Sequence, residues 1–154
     1  MNWIMIAISL TLIGMALIWY TKSRPKAVSE IDPEIEEKEL RRVYNKTIEL
    51  ISNEKYYLNK SLKLSDLATE LGSNERQVSR SINRFSHGNI NKFINSFRIE
   101  YAKELLMCGQ YDHYTIEAIA DECGFANKVS FYNAFKSETS MSPTQFRAIK
   151  QSKS

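Results

Sequence analysis

Several residue types that mark specialised protein classes are scarce in this chain. Its 154 residues include two cysteines, three prolines, five glycines and two histidines. Two cysteines are too few for a disulfide framework, and their spacing matches no zinc site. The low proline and glycine content, beside 43% apolar and 25% charged residues, excludes a collagen-like, proline-rich or disordered chain. The composition is that of a globular protein in a reducing environment.

Charge is divided unevenly along the chain. Residues 1–59 carry eight basic and eight acidic side chains, whereas residues 60–154 carry thirteen basic and ten acidic ones. The net charge of +3 therefore belongs to the C-terminal part. An excess of this size is compatible with nucleic-acid binding but does not by itself indicate it.

Charged residues are absent from residues 3–20, a stretch with tryptophan near both ends. As a helix it would be about 27 Å long, close to the ~30 Å hydrocarbon core of a bilayer. We expect a transmembrane anchor over residues 1–21, in contact with membrane lipid through residues 3–20. A cleaved signal peptide and a buried helix are the alternatives. Lys22, Arg24 and Lys26 would place the rest of the chain in the cytoplasm.

Residues 22–58 are expected to form a polar linker and an amphipathic connector helix. An acidic run follows Pro33, and apolar residues then recur at helical spacing from Leu40 to Ile51. Acidic residues early in the helix and basic residues later suit its macrodipole. A helix packed on the following domain is favoured over a two-heptad coiled coil, which would be marginal alone.

An internal repeat is the main feature of the C-terminal part. Leu64, Leu67, Ala68, Leu71 and Gly72 recur 52 residues later as Ile116, Ile119, Ala120, Cys123 and Gly124, and Val78 and Ile82 recur 53 residues later as Phe131 and Phe135. A small alanine lets two helices cross closely, and a glycine supplies the left-handed conformation that ends the first helix. The repeat therefore predicts two helix-turn-helix units, a first over residues 62–86 and a second over residues 115–148.

A long linker helix is expected between the two units, over residues 89–107. Phe93, Phe97, Tyr101 and Leu105 lie four residues apart and form an apolar stripe. These aromatic residues are assigned to the core rather than to a cofactor site. The helix would act as a strut between two units that need a separation of about 34 Å to enter successive major grooves. The expected fold is all-α: a transmembrane helix followed by this helical domain, residues 59–150.

The second helix of each unit is predicted to begin at an asparagine cap and to expose a polar face. Asn74, with Gln77 three residues later, and Asn127 are the expected caps. Arginine can contact guanine, and asparagine or glutamine can contact adenine, in the major groove. For any single residue, a solvated helix face without function is the alternative. The candidate DNA-binding residues are Glu75, Arg76, Gln77, Ser79, Arg80 and Asn83 in the first unit and Lys128, Ser130, Tyr132, Asn133 and Lys136 in the second.

The second unit carries the densest signature, consisting of Ile119–Ala120, Gly124–Phe125, Ser130–Phe131, Phe135–Lys136, Ser142–Pro143 and Phe146–Arg147. On these residues, the region from Leu62 to Arg147 resembles the AraC/XylS-type DNA-binding domain. The resemblance implies a bacterial transcription regulator whose two recognition helices enter adjacent major grooves. The residues it implies as base-contacting are Arg76, Ser79, Arg80, Lys128, Ser130, Tyr132 and Asn133. The structural positions of the motif are Ala68, Gly72, Ala120, Gly124, Phe125, Phe131, Phe135 and Pro143.

The chain departs from the family pattern at two positions. Asn133 stands where the family often has arginine, which removes one charged contact from the second unit. Ser140 replaces the usual glycine before Met141, a change expected to stiffen the turn and to leave the fold unaltered. Nothing resembles the ligand-binding domain of soluble members, so the chain looks like the last span, connector and DNA-binding part of a multi-span sensor, or a minimal version of one.

The leading hypothesis is a sequence-specific duplex-DNA-binding regulator of transcription, held as a single-pass protein at the cytoplasmic face of the bacterial inner membrane. RNA polymerase and a second copy of the chain are further partners to consider. The alternative is a membrane-anchored protein-interaction module with a helical docking domain and no DNA binding. An enzyme is not expected, because His87 and His113 have no partner at metal or nucleophile spacing and Cys123 occupies a core position. No metal or cofactor is expected.

Overall fold

The computed structural model describes residues 13–16, 18, 20, 33–86 and 88–151. For residues 150 and 151 it describes the backbone alone. The chain divides into two compact parts, Met1–Ile35 and Glu36–Ser154. Every described element is helical, so the predicted all-α class is confirmed for this part of the chain. The α-helices from residue 33 onward are α1 (Pro33–Asn53), α2 (Leu64–Glu70), α3 (Glu75–Phe85), α4 (Ile90–Met107), α5 (Ile116–Glu122), α6 (Lys128–Thr139) and α7 (Pro143–Gln151), with 3-10 turns at Tyr56–Leu58 and Gly109–Tyr111.

The membrane anchor expected over residues 1–21 falls largely on residues 1–12, 17, 19 and 21, which lie outside the described ones. Within the described part, no helix combines the length and the apolar character needed to cross a bilayer. The longest, α1 and α4, carry nine and five charged side chains, which a hydrocarbon core does not accommodate. The localisation to the inner membrane is therefore wrong. It rests on an uncharged stretch at the lower limit of a spanning length, and missing charge alone does not determine insertion.

Helix α1 packs on the first helix-turn-helix unit, as the favoured interpretation of the connector predicts. Its buried residues Leu40, Val43, Thr47 and Ile51 follow one another at intervals of three and four and so share one face. Thr47 is polar, but its hydroxyl donates to the Val43 carbonyl at 2.8 Å, which satisfies the group in its buried position. The apolar face of α1 is thus used for packing within this chain rather than left for a coiled coil.

Two apolar cores lie on either side of the middle of α4. The first core consists of Val43, Ile51, Tyr57, Leu67, Ala68, Val78, Ile82, Phe93 and Ile94. The second core consists of Ile99, Ala102, Leu105, Leu106, Ile119, Ala120, Cys123, Phe125, Phe131 and Phe135. Helix α4 contributes its early residues to the first and its later residues to the second, because its apolar residues cover a wide face. One continuous helix therefore carries both units.

Both helix-turn-helix turns close in the same way. In the first unit Ser73 N–H donates to Ala68 O at 2.9 Å and Gly72 N–H to Thr69 O at 3.1 Å. In the second, Phe125 N–H donates to Ala120 O and Gly124 N–H to Asp121 O, both at 3.0 Å. These bonds form a Schellman motif, which needs a left-handed residue after the helix. Gly72 and Gly124 supply it, with φ of 58° and 80°.

Candidate nucleic-acid interface

The second helix of the first unit is capped at its start and anchored by its apolar face. The Asn74 side chain accepts a hydrogen bond from Gln77 N–H at 2.9 Å, as expected for an asparagine cap. Gln77 does not complete the box, because its Oε1 accepts from Ser73 Oγ instead. Val78 and Ile82 are fully buried, so the opposite face of α3 is turned outward.

The second unit repeats this construction with one more residue in its turn. Asn127 caps α6 by accepting from Ser130 N–H at 2.8 Å. Phe131 and Phe135 are fully buried and take the places of Val78 and Ile82. Two residues separate Gly124 from the cap, against one between Gly72 and Asn74, which accounts for the change in the repeat offset from 52 to 53.

The predicted DNA-binding side chains lie on the outer faces of α3 and α6. Exposed residues of this set are Glu75, Arg76, Arg80, Asn83, Lys128, Ser130, Asn133 and Lys136. Gln77, Ser79 and Tyr132 are half-buried. None is fully buried, so the two helices present their polar faces to solvent. The motif positions Ala68, Ala120, Gly124, Phe125, Phe131, Phe135 and Pro143 are buried, and Gly72 is exposed in its turn.

Two arginines of α3 are paired with acidic residues of α1. Arg80 NH1 lies 2.6 Å from Glu36 Oε1, and Arg84 Nε lies 3.1 Å from Glu37 Oε2. All four side chains remain more than a third exposed, so the pairs are accessible to water and to ligands. Sequence reasoning singles out Arg80 but neither its partner nor Arg84.

The first turn of α6 holds a second paired cation. Lys128 forms an ion pair with Glu117 of α5 and lies 5.4 Å from the ring centre of Tyr132. The hydrogen bond between Lys128 and Glu117 raises the pKa of Lys128 and lowers the pKa of Glu117.

Val129, the next residue of α6, is 68% exposed. An apolar side chain on this face can contact a thymine methyl group, and sequence reasoning missed it because valine at one exposed position has no distinguishing pattern.

Arg98 of α4 bonds to the backbone of the segment that precedes the first unit and also contacts an aromatic ring of the second unit. Its Nε donates to Tyr57 O at 2.6 Å and its NH2 to Asn59 O at 2.9 Å. Its guanidinium carbon lies 5.5 Å from the ring centre of Phe125 in the second unit. Burial lowers the pKa of Arg98, since a less hydrated site disfavours the charged form. The sequence does not single out this residue.

The described residues hold no group of three or more His, Cys, Asp or Glu placed to bind a metal ion. His87 lies outside the described residues, and His113 is exposed beside Tyr114. Burial raises the pKa of the Cys123 thiol to about 12, so this side chain is a packed thiol and not a nucleophile. The chemistry on the surface of α3 and α6 is that of hydrogen bonding and charge.

Comparison with known proteins agrees with this construction. Residues 67–149, more than half of the chain, match the family described as helix-turn-helix domain. An uncharacterised HTH-type transcriptional regulator of Staphylococcus aureus strain COL is 33% identical over 91 residues, which are 59% of this chain and 12% of that relative. The chain thus spans about an eighth of the length of this relative.

Two solved structures show the same fold. A transcriptional regulator from Chromobacterium violaceum, titled as an AraC-type DNA-binding-domain protein, aligns with a TM-score of 0.60 and 20% identity over 71% of this chain and 93% of its own. The DNA-binding domain of AdpA, solved with a target DNA, aligns with a TM-score of 0.57 and 21% identity over 75% of this chain and 95% of its own. Since the helix-turn-helix family matches residues 67–149, more than half of the chain, the chain belongs to the family of AraC-type helix-turn-helix domains, a family of DNA-binding transcription regulators.

Proposed function

We propose that residues 59–150 bind duplex DNA in a sequence-specific manner and thereby regulate transcription, with α3 and α6 as the two recognition helices. The observation that carries the proposal is the repeated construction: two units with the same Schellman closure and the same asparagine cap, each with the polar face of its second helix exposed. The AdpA domain, similar in fold, is solved with its target DNA.

In the first unit the exposed side chains offer direct contacts to base edges. Arg76 lies in the first turn of α3, is exposed, and makes no ion pair among those described. A guanidinium at this place suits a bidentate contact to guanine. Gln77 and Asn83 carry amides, which suit adenine, and Glu75 can accept from cytosine. The first unit is thus the main source of sequence preference in the proposal.

In the second unit the balance shifts toward the phosphate backbone. Lys128 and Lys136 are exposed at the two ends of α6, and lysine binds phosphate as a point charge. Ser130 and Asn133 can bond bases or phosphates, and Val129 offers an apolar contact. The second unit would therefore add affinity more than discrimination. Contacts to RNA polymerase and to a second copy of the chain stay predictions.

The test begins with selection of duplexes from a random library by the wild-type chain. Affinity is then measured by fluorescence anisotropy for the selected duplex and for the same duplex with shuffled sequence. We expect a clear preference for the selected duplex and an affinity that falls steeply with salt, because bound phosphates release counterions. Equal binding to both duplexes would overturn the proposal.

Arg76→Ala and Arg42→Ala form a matched pair for this test. Both substitutions remove one exposed guanidinium, but Arg42 lies on α1 and pairs with Glu39. We expect Arg76→Ala to reduce the preference by about 1–3 kcal/mol, and Arg42→Ala to leave it unchanged. The alternative, a protein-interaction module, predicts that the chain protects no DNA in a footprinting experiment. It also predicts that Arg80→Ala does not change the behaviour of the chain toward DNA.

A further inference from the structure

The segment Tyr57–Lys60, here called the bridging segment, connects the first core to the second unit. It begins within the 3-10 turn Tyr56–Leu58 that comes after α1, and the Tyr57 ring is buried in the first core. That ring lies 6.2 Å from the ring of Phe97 and 6.1 Å from that of Tyr101, both on α4. One side of the bridging segment is thereby attached to the middle of α4.

The other side of the bridging segment meets the turn of the second unit. A Cβ added at Gly124 would lie 2.6 Å from Leu58 O and 2.7 Å from Tyr57 O. These distances mean that the two backbones touch with no space for a side chain. Lys60 also pairs with Asp121 of α5. The turn that orients α6 therefore rests directly on backbone whose Tyr57 side chain is packed in the first core.

Arg98 is the side chain that holds this contact together. It donates two hydrogen bonds to the bridging segment, at Tyr57 O and Asn59 O, and its guanidinium faces the Phe125 ring. A planar guanidinium can bond two carbonyls at once in a fixed geometry, which an ammonium group cannot reproduce. Arg98 lies immediately before Ile99, where α4 passes from the first core to the second.

We infer that Arg98 is a positioning residue, which sets the separation and relative angle of the two recognition helices by clamping the bridging segment between the units. Helix α4 alone attaches each unit along one line, about which a unit can rotate. The clamp supplies a second attachment away from that line, so the two units move as one body. The inference rests on the proposed function, because its consequence is a requirement on the spacing of two DNA half-sites.

The test uses the duplex selected by the wild-type chain, with its two protected half-sites mapped by footprinting. One base pair is inserted between them, which displaces one half-site by about 3.4 Å and rotates it by about 35°. We expect the wild-type chain to lose at least about tenfold in affinity, because only one unit then engages fully. Arg98→Lys should bind the original duplex more weakly and lose less than about threefold on insertion.

Arg147→Lys is the matched control. Arg147 also donates to a backbone carbonyl, Tyr114 O at 2.7 Å, but Arg147 belongs to the second unit and Tyr114 immediately precedes it, so this bond does not reach the first unit. Its substitution should lower stability and leave the insertion penalty at about tenfold. Circular dichroism melting of each variant verifies that it is folded, and the conservative change to lysine retains the charge and the stem of the side chain.

The outcomes separate the inference from the function on which it rests. A smaller insertion penalty in Arg98→Lys but not in Arg147→Lys supports it. An unchanged penalty in Arg98→Lys overturns it, whether or not the overall affinity falls, while the DNA-binding proposal stands. If the wild-type chain selects no duplex at all, the DNA-binding proposal fails and the inference fails with it.

Discussion

Glu36 Oε1 lies 2.6 Å from Arg80 NH1, so the beginning of α1 is paired with the recognition helix of the first unit. The neighbouring pair between Glu37 and Arg84 repeats the arrangement. A phosphate or base that binds Arg80 must therefore replace a carboxylate. If α3 binds DNA as proposed, the carboxylate of Glu36 competes with the DNA for Arg80.

Replacing Glu36 by glutamine should strengthen DNA binding. Exposed ion pairs contribute about 0.2–1 kcal/mol, so Glu36→Gln is expected to raise affinity for the selected duplex up to about fivefold. Glu49→Gln is the control, since it removes the same charge from an exposed position of α1. Anisotropy titrations compare the two, and an equal effect of both would show only a general electrostatic contribution.

Asn133→Arg should add a charged contact to the second unit. Asn133 is exposed on α6, where an arginine can reach a phosphate. We expect tighter binding and a steeper dependence of log affinity on log salt, by about 0.9. Asn45→Arg places the same charge on an exposed position of α1, and an identical change of slope there would contradict a contact at position 133.

The two turn glycines should respond differently to alanine. Both have positive φ, so alanine at either position incurs the cost of a left-handed conformation, about 1–2 kcal/mol. At Gly124 the new Cβ would also meet Leu58 O at 2.6 Å, whereas at Gly72 it meets nothing within 4 Å. Urea denaturation should show Gly124→Ala to be less stable than Gly72→Ala by about 1–3 kcal/mol. Equal losses would contradict the close backbone contact.

Ser140→Gly should stabilise the protein. Ser140 ends α6 with φ of 61°, the left-handed region that favours glycine. Relief of that conformation, less the entropy of glycine in the unfolded chain, gives an expected gain of about 0.5–1 kcal/mol. The same substitution at Ser137, within α6, should instead cost about 0.5 kcal/mol. Thermal melting distinguishes the two, and a lower Tm for Ser140→Gly would refute the expectation.

The two cysteines should differ sharply in reactivity. Cys108 is exposed and Cys123 is buried, and burial raises the pKa of Cys123 to about 12. Iodoacetamide reacts with the thiolate, so at pH 8 the folded chain should be modified at Cys108 alone. Peptide mass spectrometry locates the label, and unfolding in urea should expose Cys123. Rapid labelling of Cys123 in the folded chain would contradict its place in the second core.

The pKa of Cys123 also gives a direction for alkaline stability. Between the ordinary thiol pKa of 9.0 and about 12, the folded chain keeps the proton that the unfolded chain releases. The free energy of unfolding from this group therefore falls as pH rises through that range.

Local sequence patterns predicted the elements well because helix-turn-helix units depend on short-range chemistry. Asn74 and Asn127 cap their helices as expected, since a cap needs only a side chain and the next turn. The pairing of Glu36 with Arg80 was not foreseen, because 44 residues separate them. In the sequence alone, the acidic run is explained by its favourable position near the start of the α1 dipole.

The amino-acid sequence by itself determined the all-α fold, the duplicated helix-turn-helix and the polar faces of its second helices, because periodicity, caps and turn glycines act over one or two helical turns. The tertiary structure alone decided that α1 neutralises arginines of α3 and that Arg98 clamps Tyr57–Lys60 against the turn at Gly124. It also corrected the membrane assignment within the described residues. Contacts between distant segments depend on which helix faces meet, and the apolar periodicity of a helix marks its buried face without identifying the partner of that face.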